Sequence, residues 1–233
     1  MRGRVLHNES MKMLLFGATG TAGSGILRAC LDDDAVREVR VIVRRPLDVQ
    51  HPKLRVFTHT DYLDYTAVAT AFESFDACLY ALGISINQTS GEREYRTITR
   101  DYAVAAARQL KSGSPSAVLH FISGQGTSVD SRMMWARVKG ETERELPSIV
   151  DTVCWRPGFI DGGAAKTGPW FYRSIRPLFR LLQPIRSMYV TNVDIGRAMI
   201  QATSENLRSG IIDNRRIREL ARARFPSAAP PLR

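Results

Sequence analysis

Three glycines near the amino terminus have a spacing that suits phosphate binding. In the segment LLFGATGTAGSG, Gly17, Gly20 and Gly23 recur every third residue directly after an apolar run. Glycines allow a tight turn, a close approach of the backbone to a pyrophosphate and close packing of the next helix. The amino terminus of that helix would face the phosphates with free N–H groups. The position between a strand and a helix favours this interpretation over a structural glycine turn.

Two arginines follow the second apolar run, in the segment VIVRRP. Rossmann-type proteins that bind NAD usually carry Asp or Glu at this position to bind the ribose 2′-hydroxyl. Arg44 and Arg45 instead offer guanidinium groups, which bind a 2′-phosphate through charge-assisted hydrogen bonds. We therefore predict NADP(H) as the cofactor. The alternative is a pair of solvated arginines ahead of Pro46.

Other residues are expected at the cofactor because of where they follow the predicted strands. Asp61 and Tyr62 follow the third strand, where such folds commonly cover the adenine ring, and YALG ends the fourth strand beside the ribose and phosphates. An ordinary loop is the alternative at both places. The cofactor contacts predicted from these strand ends are Gly17, Thr19, Gly20, Thr21, Ala22, Gly23, Arg44, Arg45, Asp61, Tyr62, Ala81, Leu82 and Gly83.

The elements that must position these residues alternate along the chain. Apolar or β-branched runs predict strands at 12–16, 38–43, 54–58, 76–82, 117–123 and 150–155, and helical segments lie at 21–31, 93–111 and up to Glu145. Such alternation implies right-handed crossovers and a parallel sheet covered on both faces. We predict an α/β, Rossmann-like, doubly wound fold with a small C-terminal portion on the substrate side.

The length of 233 residues fits one domain, which we place at 12–224. Residues 1–11 are expected to form a flexible tail and 225–233 a disordered one. A flap at about 158–192 contains aromatic and apolar residues interleaved with arginines, and we expect its inner side to bound an apolar substrate pocket. The alternative is a surface that docks on a partner or a membrane.

Composition limits the compartment and excludes some classes of protein. A hydrophobic content of 44% with 24% charged residues is ordinary for a soluble protein, and no run approaches the ~20 apolar residues of a membrane span. The three cysteines are distant and odd in number, which favours buried, reduced thiols and a cytosolic location. No spacing typical of a metal site occurs, so no metal is predicted.

The formal net charge of +10 raises the question of nucleic acid. The arginines are spread over the chain, and the densest group, NRRIRELARAR at 214–224, alternates with Ile217, Leu220 and Ala221 at helical spacing. A docked helix with a solvated basic face is the favoured interpretation, and no nucleic-acid partner is predicted. A DNA-binding role would predict binding that falls steeply with salt.

At this point the chain resembles an atypical short-chain dehydrogenase/reductase, of the Tat-interacting-protein-like group close to the NmrA-like and NAD(P)H-binding families. The resemblance covers about residues 12–222. It depends on the ordered segments FGATGTAG, VRRP, REYRTITRDYAVAAARQ, HFISGQG, WARVKGETERELP, WRPGFIDG and the late VTNVDIGRAMIQA and IIDNRRIREL. It implies NADP(H) bound across the strand ends, and RPGFIDGG resembles the loop beside the nicotinamide. The residues expected there are Pro157, Gly158, Phe159 and Ile160; a simple turn is the alternative.

The active site of this family is a Ser–Tyr–Lys group, which is altered here. Lys139 matches the lysine, which in the family holds the nicotinamide ribose and lowers the tyrosine pKa, so Lys139 is also expected to contact the cofactor. Ser123 is a candidate for the serine that holds the oxyanion, although a shift of one place would put Gly124 there. The tyrosine position is Trp135. An indole N–H is a hydrogen-bond donor but not an acid in water, so Trp135 cannot transfer the proton that the family tyrosine transfers. Loss of a positioned acid costs about 10²–10⁴ in rate.

Three interpretations remain open at this stage. The protein reduces a small, mostly apolar carbonyl or enone by hydride transfer, with Lys139 or a bound water as the proton source. Alternatively, it binds the nucleotide without turnover and acts as a redox-state sensor or an assembly partner of a regulatory protein. In the third, a tyrosine from elsewhere, Tyr102 or Tyr172, replaces the missing acid.

Overall fold

The computed structural model describes residues 10–162 and 188–224. Within them, a parallel sheet of seven strands has the order β3-β2-β1-β4-β5-β6-β9. Its strands are β1 (Met11–Phe16), β2 (Val36–Val43), β3 (Leu54–Thr58), β4 (Ala77–Tyr80), β5 (Val118–Ile122), β6 (Thr152–Arg156) and β9 (Gly210–Asp213). Two further strands, β7 (Phe159–Asp161) and β8 (Tyr189–Thr191), form a separate parallel pair. The predicted Rossmann-like, doubly wound class is confirmed.

Helices cover both faces of the sheet. They are α1 (Thr21–Asp32), α2 (Glu92–Arg96), α3 (Tyr102–Gly113), α4 (Met134–Glu145), α5 (Asn192–Ser204) and α6 (Asn214–Arg224). Short 3₁₀ segments lie at Thr66–Phe72, Ile86–Gln88 and Leu146–Ser148. The single helix predicted at 93–111 is wrong in one respect, because a π-helical turn at Thr97–Asp101 separates α2 from α3.

Two apolar cores form because consecutive side chains of a strand point to opposite faces of the sheet. One core contains Met13, Leu15 and Val41, and α1, α5 and α6 supply its outer layer. The other contains Leu14, Phe16 and Ile42, and it is covered by α3 and the segment around Phe72. Burial of the strands on both faces explains why their sequences are continuous apolar runs.

Helices α1 and α5 pack closely because glycine stands at their contact. A Cβ atom at Gly196 would lie 2.6 Å from Ala29 Cβ and 2.8 Å from the Ile26 Cα atom. On the other end of α1, a Cβ at Gly25 would lie 2.2 Å from Asn192 Cγ. The helix that follows the glycine turn is therefore fixed directly to the helix that follows β8.

The amphipathic segment at 214–224 is a docked helix, as its spacing predicted. Ile217, Leu220 and Ala221 are buried in the first core. Arg215 and Arg216 are exposed and pair with Glu219 on the same helix. The final arginine, Arg224, forms a two-bond ion pair with buried Asp33 after α1, which fastens the end of the helix to the sheet.

Candidate functional site

The residues that could do chemistry lie at the carboxyl ends of β1, β4, β5 and β6. The order of the sheet reverses between β1 and β4, since β2 and β3 lie to one side of β1 and the later strands to the other. A crevice at such a switch point is where α/β sheets of this type bind ligands. The candidate site has two regions: the turn from β1 into α1 with the ends of β2 and β4, called here the nucleotide region, and the ends of β5 and β6 with the first turns of α4, called here the catalytic region.

The glycine turn in the nucleotide region leaves no room for side chains. Gly17 has φ +76°, and a Cβ there would lie 2.5 Å from the carbonyl oxygen of Ala81 at the end of β4. A Cβ at Gly23 would lie 2.0 Å from the Gly17 carbonyl oxygen, while the N–H of Gly20 donates to that oxygen at 2.9 Å. The backbone of three elements thus converges at the switch point.

Helix α1 begins at Thr21, and no side chain caps it. The first N–H groups of a helix have no partner within the helix, and a phosphate group is a suitable acceptor for them. The exposed side chains of Thr19 and Thr21 flank this end of the helix, and Ala22 is buried behind it. The residues present fit a pyrophosphate group.

The ends of β2 and β4 border the same turn. Arg44 and Arg45 are exposed, and neither forms an ion pair with any other residue that the structure describes. Ala81 and Leu82 are half-buried, and a Cβ added to Gly83 would meet no atom within 4 Å. Of the predicted contacts at these two strand ends, Arg44, Arg45 and Gly83 are therefore exposed, whereas Ala81 and Leu82 are partly packed against the cores.

Tyr62 lies in an aromatic cluster instead of on an open surface. Its ring is 3% exposed and packs on Tyr102 at a centroid distance of 5.5 Å and edge-on to Phe16 at 6.3 Å. Burial raises the pKa of the Tyr62 hydroxyl, and the nearby Arg44 opposes that rise. Asp61 is exposed, and its carboxylate accepts a hydrogen bond from the Leu63 N–H. That these two residues cover an adenine ring stays a prediction.

Ser123, Trp135 and Lys139 come together in the catalytic region. Ser123 directly follows β5, and the other two lie one turn apart on α4. A Cβ at Gly124 would lie 3.8 Å from both Lys139 Nζ and Trp135 Cζ3, and one at Gly126 would lie 3.8 Å from Trp135 Cη2. The half-buried indole therefore lies against the two glycines of this turn, beside the ammonium group.

Lys139 is held by the main chain of Ser123. Its Nζ donates to the Ser123 carbonyl oxygen at 2.7 Å. Burial lowers the pKa of Lys139 to about 8, because the charged form loses water, and the carboxylate of Glu143 partly opposes this effect. Glu143, one turn further along α4, is itself buried and bound by Arg156 at the end of β6, with a distance of 3.0 Å between Oε1 and Nε.

Glu143 and Arg156 are site residues that were not predicted from the sequence. Glu143 lies four residues after Lys139, which places both on one face of the helix, and that spacing was the available signal. The match to Arg156 depends on how β6 lies beside α4, which no local pattern reveals. Thr127, whose hydroxyl lies 3.0 Å from that of Ser123, was not predicted either.

Neither proposed substitute for the missing tyrosine gains support from the geometry. Tyr102 packs on Tyr62 within the aromatic cluster, at the nucleotide side of the sheet. Tyr172 lies outside the described residues, as do most of the predicted flap and the two predicted tails.

The segment after β6 is not the open loop that the resemblance implied. Phe159 and Ile160 belong to strand β7, paired with Tyr189 and Val190. Only Pro157 and Gly158 form the turn, and the Gly158 N–H donates to the Asn214 side chain at 3.0 Å. Short strands of three residues depend on their distant partner strand for stability, so the sequence alone did not reveal them. Contact of these four residues with a nicotinamide stays a prediction.

Cys30, Cys78 and Cys154 are buried free thiols, as the sequence predicted. In residues 10–162 and 188–224, no group of three or more His, Cys, Asp or Glu side chains could hold a metal ion. Among the helices of the same residues, none has the length and apolar character needed to cross a membrane.

The fold is of the Rossmann type, and solved structures of short-chain dehydrogenases share it. A short chain dehydrogenase family protein from Francisella tularensis superposes with a TM-score of 0.65 at 13% identity, over 87% of this chain and 96% of that one. The Bordetella bronchiseptica enzyme WbmF, solved in complex with NAD+, has a TM-score of 0.63 at 14% identity, over 96% and 80%. At these identities the likeness shows the fold alone.

Relatives in sequence are more specific. Protein fmp52-1, mitochondrial, of Aspergillus terreus is 28% identical over 162 residues, which cover 66% of this chain and 69% of that protein. Protein HTATIP2 of Rattus norvegicus is 25% identical over 173 residues, 71% of this chain and 70% of that protein. No protein-family model matches the chain. These relatives support the resemblance, carried by the motifs, of the chain to the atypical short-chain dehydrogenases/reductases of the Tat-interacting-protein-like group.

The comparisons also correct one expectation. The cytosolic location predicted from the cysteines is wrong, because the fungal relatives from Aspergillus terreus, Eremothecium gossypii and Candida albicans are named mitochondrial. Buried reduced thiols do not distinguish the cytosol from the mitochondrion, because a folded core shields them from oxidants in either compartment.

Proposed function

We propose that the protein binds NADP(H) at the switch point between β1 and β4. The observation that carries this proposal is the convergence of Gly17, Gly23 and the Ala81 carbonyl at distances where a Cβ would clash. Backbone this close to an uncapped helix terminus suits a pyrophosphate. Arg44 and Arg45, with no acidic partner among the described residues, supply the charge for a 2′-phosphate. We also infer a mitochondrial location from the names of the fungal relatives.

We further propose that the bound nucleotide serves the reduction of a small, mostly apolar carbonyl or enone. The nicotinamide supplies the hydride when NADPH is bound. Lys139 can donate a hydrogen bond and then a proton to the oxygen that gains charge, because its lowered pKa of about 8 makes it a stronger acid than an exposed lysine. The indole of Trp135 supplies an apolar wall beside that oxygen.

The 2′-phosphate assignment is tested by titrating NADPH and NADH while intrinsic tryptophan fluorescence is recorded. We expect tighter binding of NADPH, and we expect Arg44→Asp to weaken NADPH binding about 10- to 100-fold while NADH binding changes little, since hydrogen bonds to charged groups contribute about 1.5–3 kcal/mol. The matched control is Arg37→Asp, which makes the same charge change at the exposed opposite end of β2. A preference for NADPH that survives Arg44→Asp would remove the assigned role of this arginine.

A second candidate function is that of an NADP(H)-binding sensor or assembly protein. The observation that favours it is Trp135, which occupies the position of the proton-transferring tyrosine and lies on the turn beside Lys139. Purified protein that binds NADPH but oxidises none of it against a broad panel of carbonyls and enones would support the sensor. Turnover of any member of the panel would support the reductase.

A further inference from the structure

The hydroxyl groups of Ser123 and Thr127 form a directed chain. Thr127 Oγ donates to the carbonyl oxygen of Gly124 at 2.8 Å. A hydroxyl has one hydrogen to donate. In the contact of 3.0 Å between the two hydroxyls, Ser123 must therefore be the donor and Thr127 the acceptor. Both side chains are almost fully buried, at 3% and 4% exposure, so water does not compete for these groups.

This chain leaves Ser123 without a free hydrogen for a substrate. A donor at an oxyanion must point its hydrogen at the developing charge. The hydrogen of Ser123 points at Thr127, and turning it away would break the hydrogen bond between the two buried hydroxyls. The oxyanion role that the resemblance implied for Ser123 therefore conflicts with its hydrogen bonding.

Thr127 also fixes the turn that follows β5. Its N–H donates to the same Gly124 oxygen at 3.2 Å, so the backbone and the side chain of one residue bind one carbonyl. Gly126 has φ +86°, a conformation that glycine adopts readily at the third position of a tight turn. The start of the turn is anchored by the Ser123 N–H, which donates to the Trp155 carbonyl at 2.7 Å.

The main-chain carbonyl at the start of this turn is the acceptor for Lys139, at 2.7 Å. The direction of that carbonyl depends on the conformation of the turn. Glu143 on the same helix is the charged group that opposes the fall in the pKa of Lys139, and Arg156 on β6 binds Glu143. Thr127 donates to the Gly124 carbonyl and lies within hydrogen-bond distance of Ser123, so its effect on Lys139 passes through the turn.

We propose that Thr127 is a positioning residue of the catalytic region. It accepts the hydrogen bond that the Ser123 hydroxyl donates, and it fixes the Gly124 carbonyl. Ser123 therefore serves the site through its main-chain oxygen, which holds Lys139, and not through its side chain. This assignment rests on the proposed function only where it concerns turnover. It leaves Lys139 as the donor to the oxyanion.

The test measures the pKa of Lys139 in the full-length protein with carbon-13-labelled lysine, from the Cε chemical shift, with the signal assigned by its loss in Lys139→Arg. Thr127→Val keeps the shape but removes the hydroxyl, and we expect the pKa of Lys139 to fall by about one pH unit as its acceptor moves. Thr127→Ser restores the hydroxyl and should restore the wild-type value. Ser123→Ala keeps the carbonyl and should leave the value unchanged.

An unchanged pKa of Lys139 in Thr127→Val would overturn the proposal, and so would a fall in Ser123→Ala. If Thr127→Val does not fold, Ser123→Ala alone decides between a main-chain and a side-chain role for the serine. NADPH is titrated into the same samples. Absence of NADPH binding by the wild-type protein would remove the proposed function but would leave the Lys139 measurements to judge Thr127.

Discussion

The nucleotide region and the catalytic region lie at the same edge of one sheet but are built in different ways. The nucleotide region is made of backbone: Gly17 and Gly23 bring three chain segments within distances that exclude any side chain. The catalytic region depends on side chains of α4 and β6, namely Lys139, Glu143 and Arg156, placed against the turn that follows β5. A site made of backbone depends on shape, whereas a site made of side chains depends on the identity of each residue.

This difference fits the resemblance to a dehydrogenase family, under which the fold is kept while Trp135 stands where the family has its tyrosine. Replacing one side chain, such as the family tyrosine by tryptophan, would change the chemistry and leave the helix in place. Replacing one glycine would disturb the fold itself, because the lost space is occupied by backbone, which cannot rotate away. We therefore expect substitutions in the nucleotide region to lower the stability of the fold, and substitutions in the catalytic region to change activity and leave the fold intact.

The largest effect is expected from Trp135→Tyr. If the missing acid is the only obstacle in the catalytic region, the variant should gain about 10²–10⁴ in the rate of carbonyl reduction, measured as loss of NADPH absorbance, because a phenol beside an ammonium group can transfer the proton. Trp135→Phe is the control, since it supplies a ring without an acid and should gain nothing. Equal rates in both variants would show that the catalytic region differs in more than its acid.

Gly23→Ala tests the opposite claim for the nucleotide region. Alanine favours a helix more than glycine does, so any loss of stability must come from the clash with the Gly17 carbonyl, 2.0 Å from the added Cβ. We expect a loss of about 3 kcal/mol in urea unfolding together with loss of NADPH binding. Gly83→Ala at the same sheet edge meets no atom within 4 Å and should unfold like the wild type. A free energy of unfolding of Gly23→Ala equal to that of the wild type would mean that backbone atoms do not exclude a side chain at this turn.

A smaller effect is expected at His120, a buried residue in the middle of β5. Its Nδ1 accepts from Trp155 Nε1 at 3.0 Å, and its Nε2 lies 3.0 Å from the Thr203 hydroxyl on α5, the helix packed on α1. Burial, assisted by Arg208, lowers the pKa of His120 from 6.5 to about 3. The unfolded chain therefore binds a proton that the folded chain does not, and stability is lost as pH falls below 6.5.

Between pH 7 and pH 5 this loss amounts to about 2 kcal/mol, and urea unfolding at the two pH values measures it. His120→Gln can keep both hydrogen bonds but does not titrate, so it should lose about 2 kcal/mol less stability than the wild type over the same interval. Carboxylates contribute equally to both proteins. The same pH dependence in the variant would show that the imidazole is not buried in its neutral form.

Much of the nucleotide region was readable from the sequence. The strands at 12–16 and 54–58 lie within one residue of their predicted bounds, and α1 begins at Thr21 as predicted. Such elements are specified locally, by continuous apolar runs and by glycines at a strand–helix junction. The basic helix at 214–224 was also predicted, because Ile217 and Leu220 follow the period of a helix.

The short strands and the break in the long helical segment were not predicted from the sequence. β7, β8 and β9 have three or four residues each, and the π-helical turn at Thr97–Asp101 interrupts a segment that reads as one helix. Short strands are stable only when a distant partner supplies their hydrogen bonds, and that partner is not encoded nearby. Tyr62 illustrates the same limit, because no local pattern indicates that its ring is buried against Phe16 and Tyr102.

The sequence by itself indicated the class of fold, the glycine turn after β1 and the arginine pair after β2, and its resemblance to a family matched Trp135 to the family tyrosine. Only the tertiary structure decided that Lys139 is held by a main-chain oxygen and that the Ser123 hydroxyl donates its hydrogen bond to Thr127. The reason is physical: spacing along the chain fixes which residues can share a helix or strand, but the direction of a hydrogen bond depends on every other donor and acceptor that folding brings within about 3 Å.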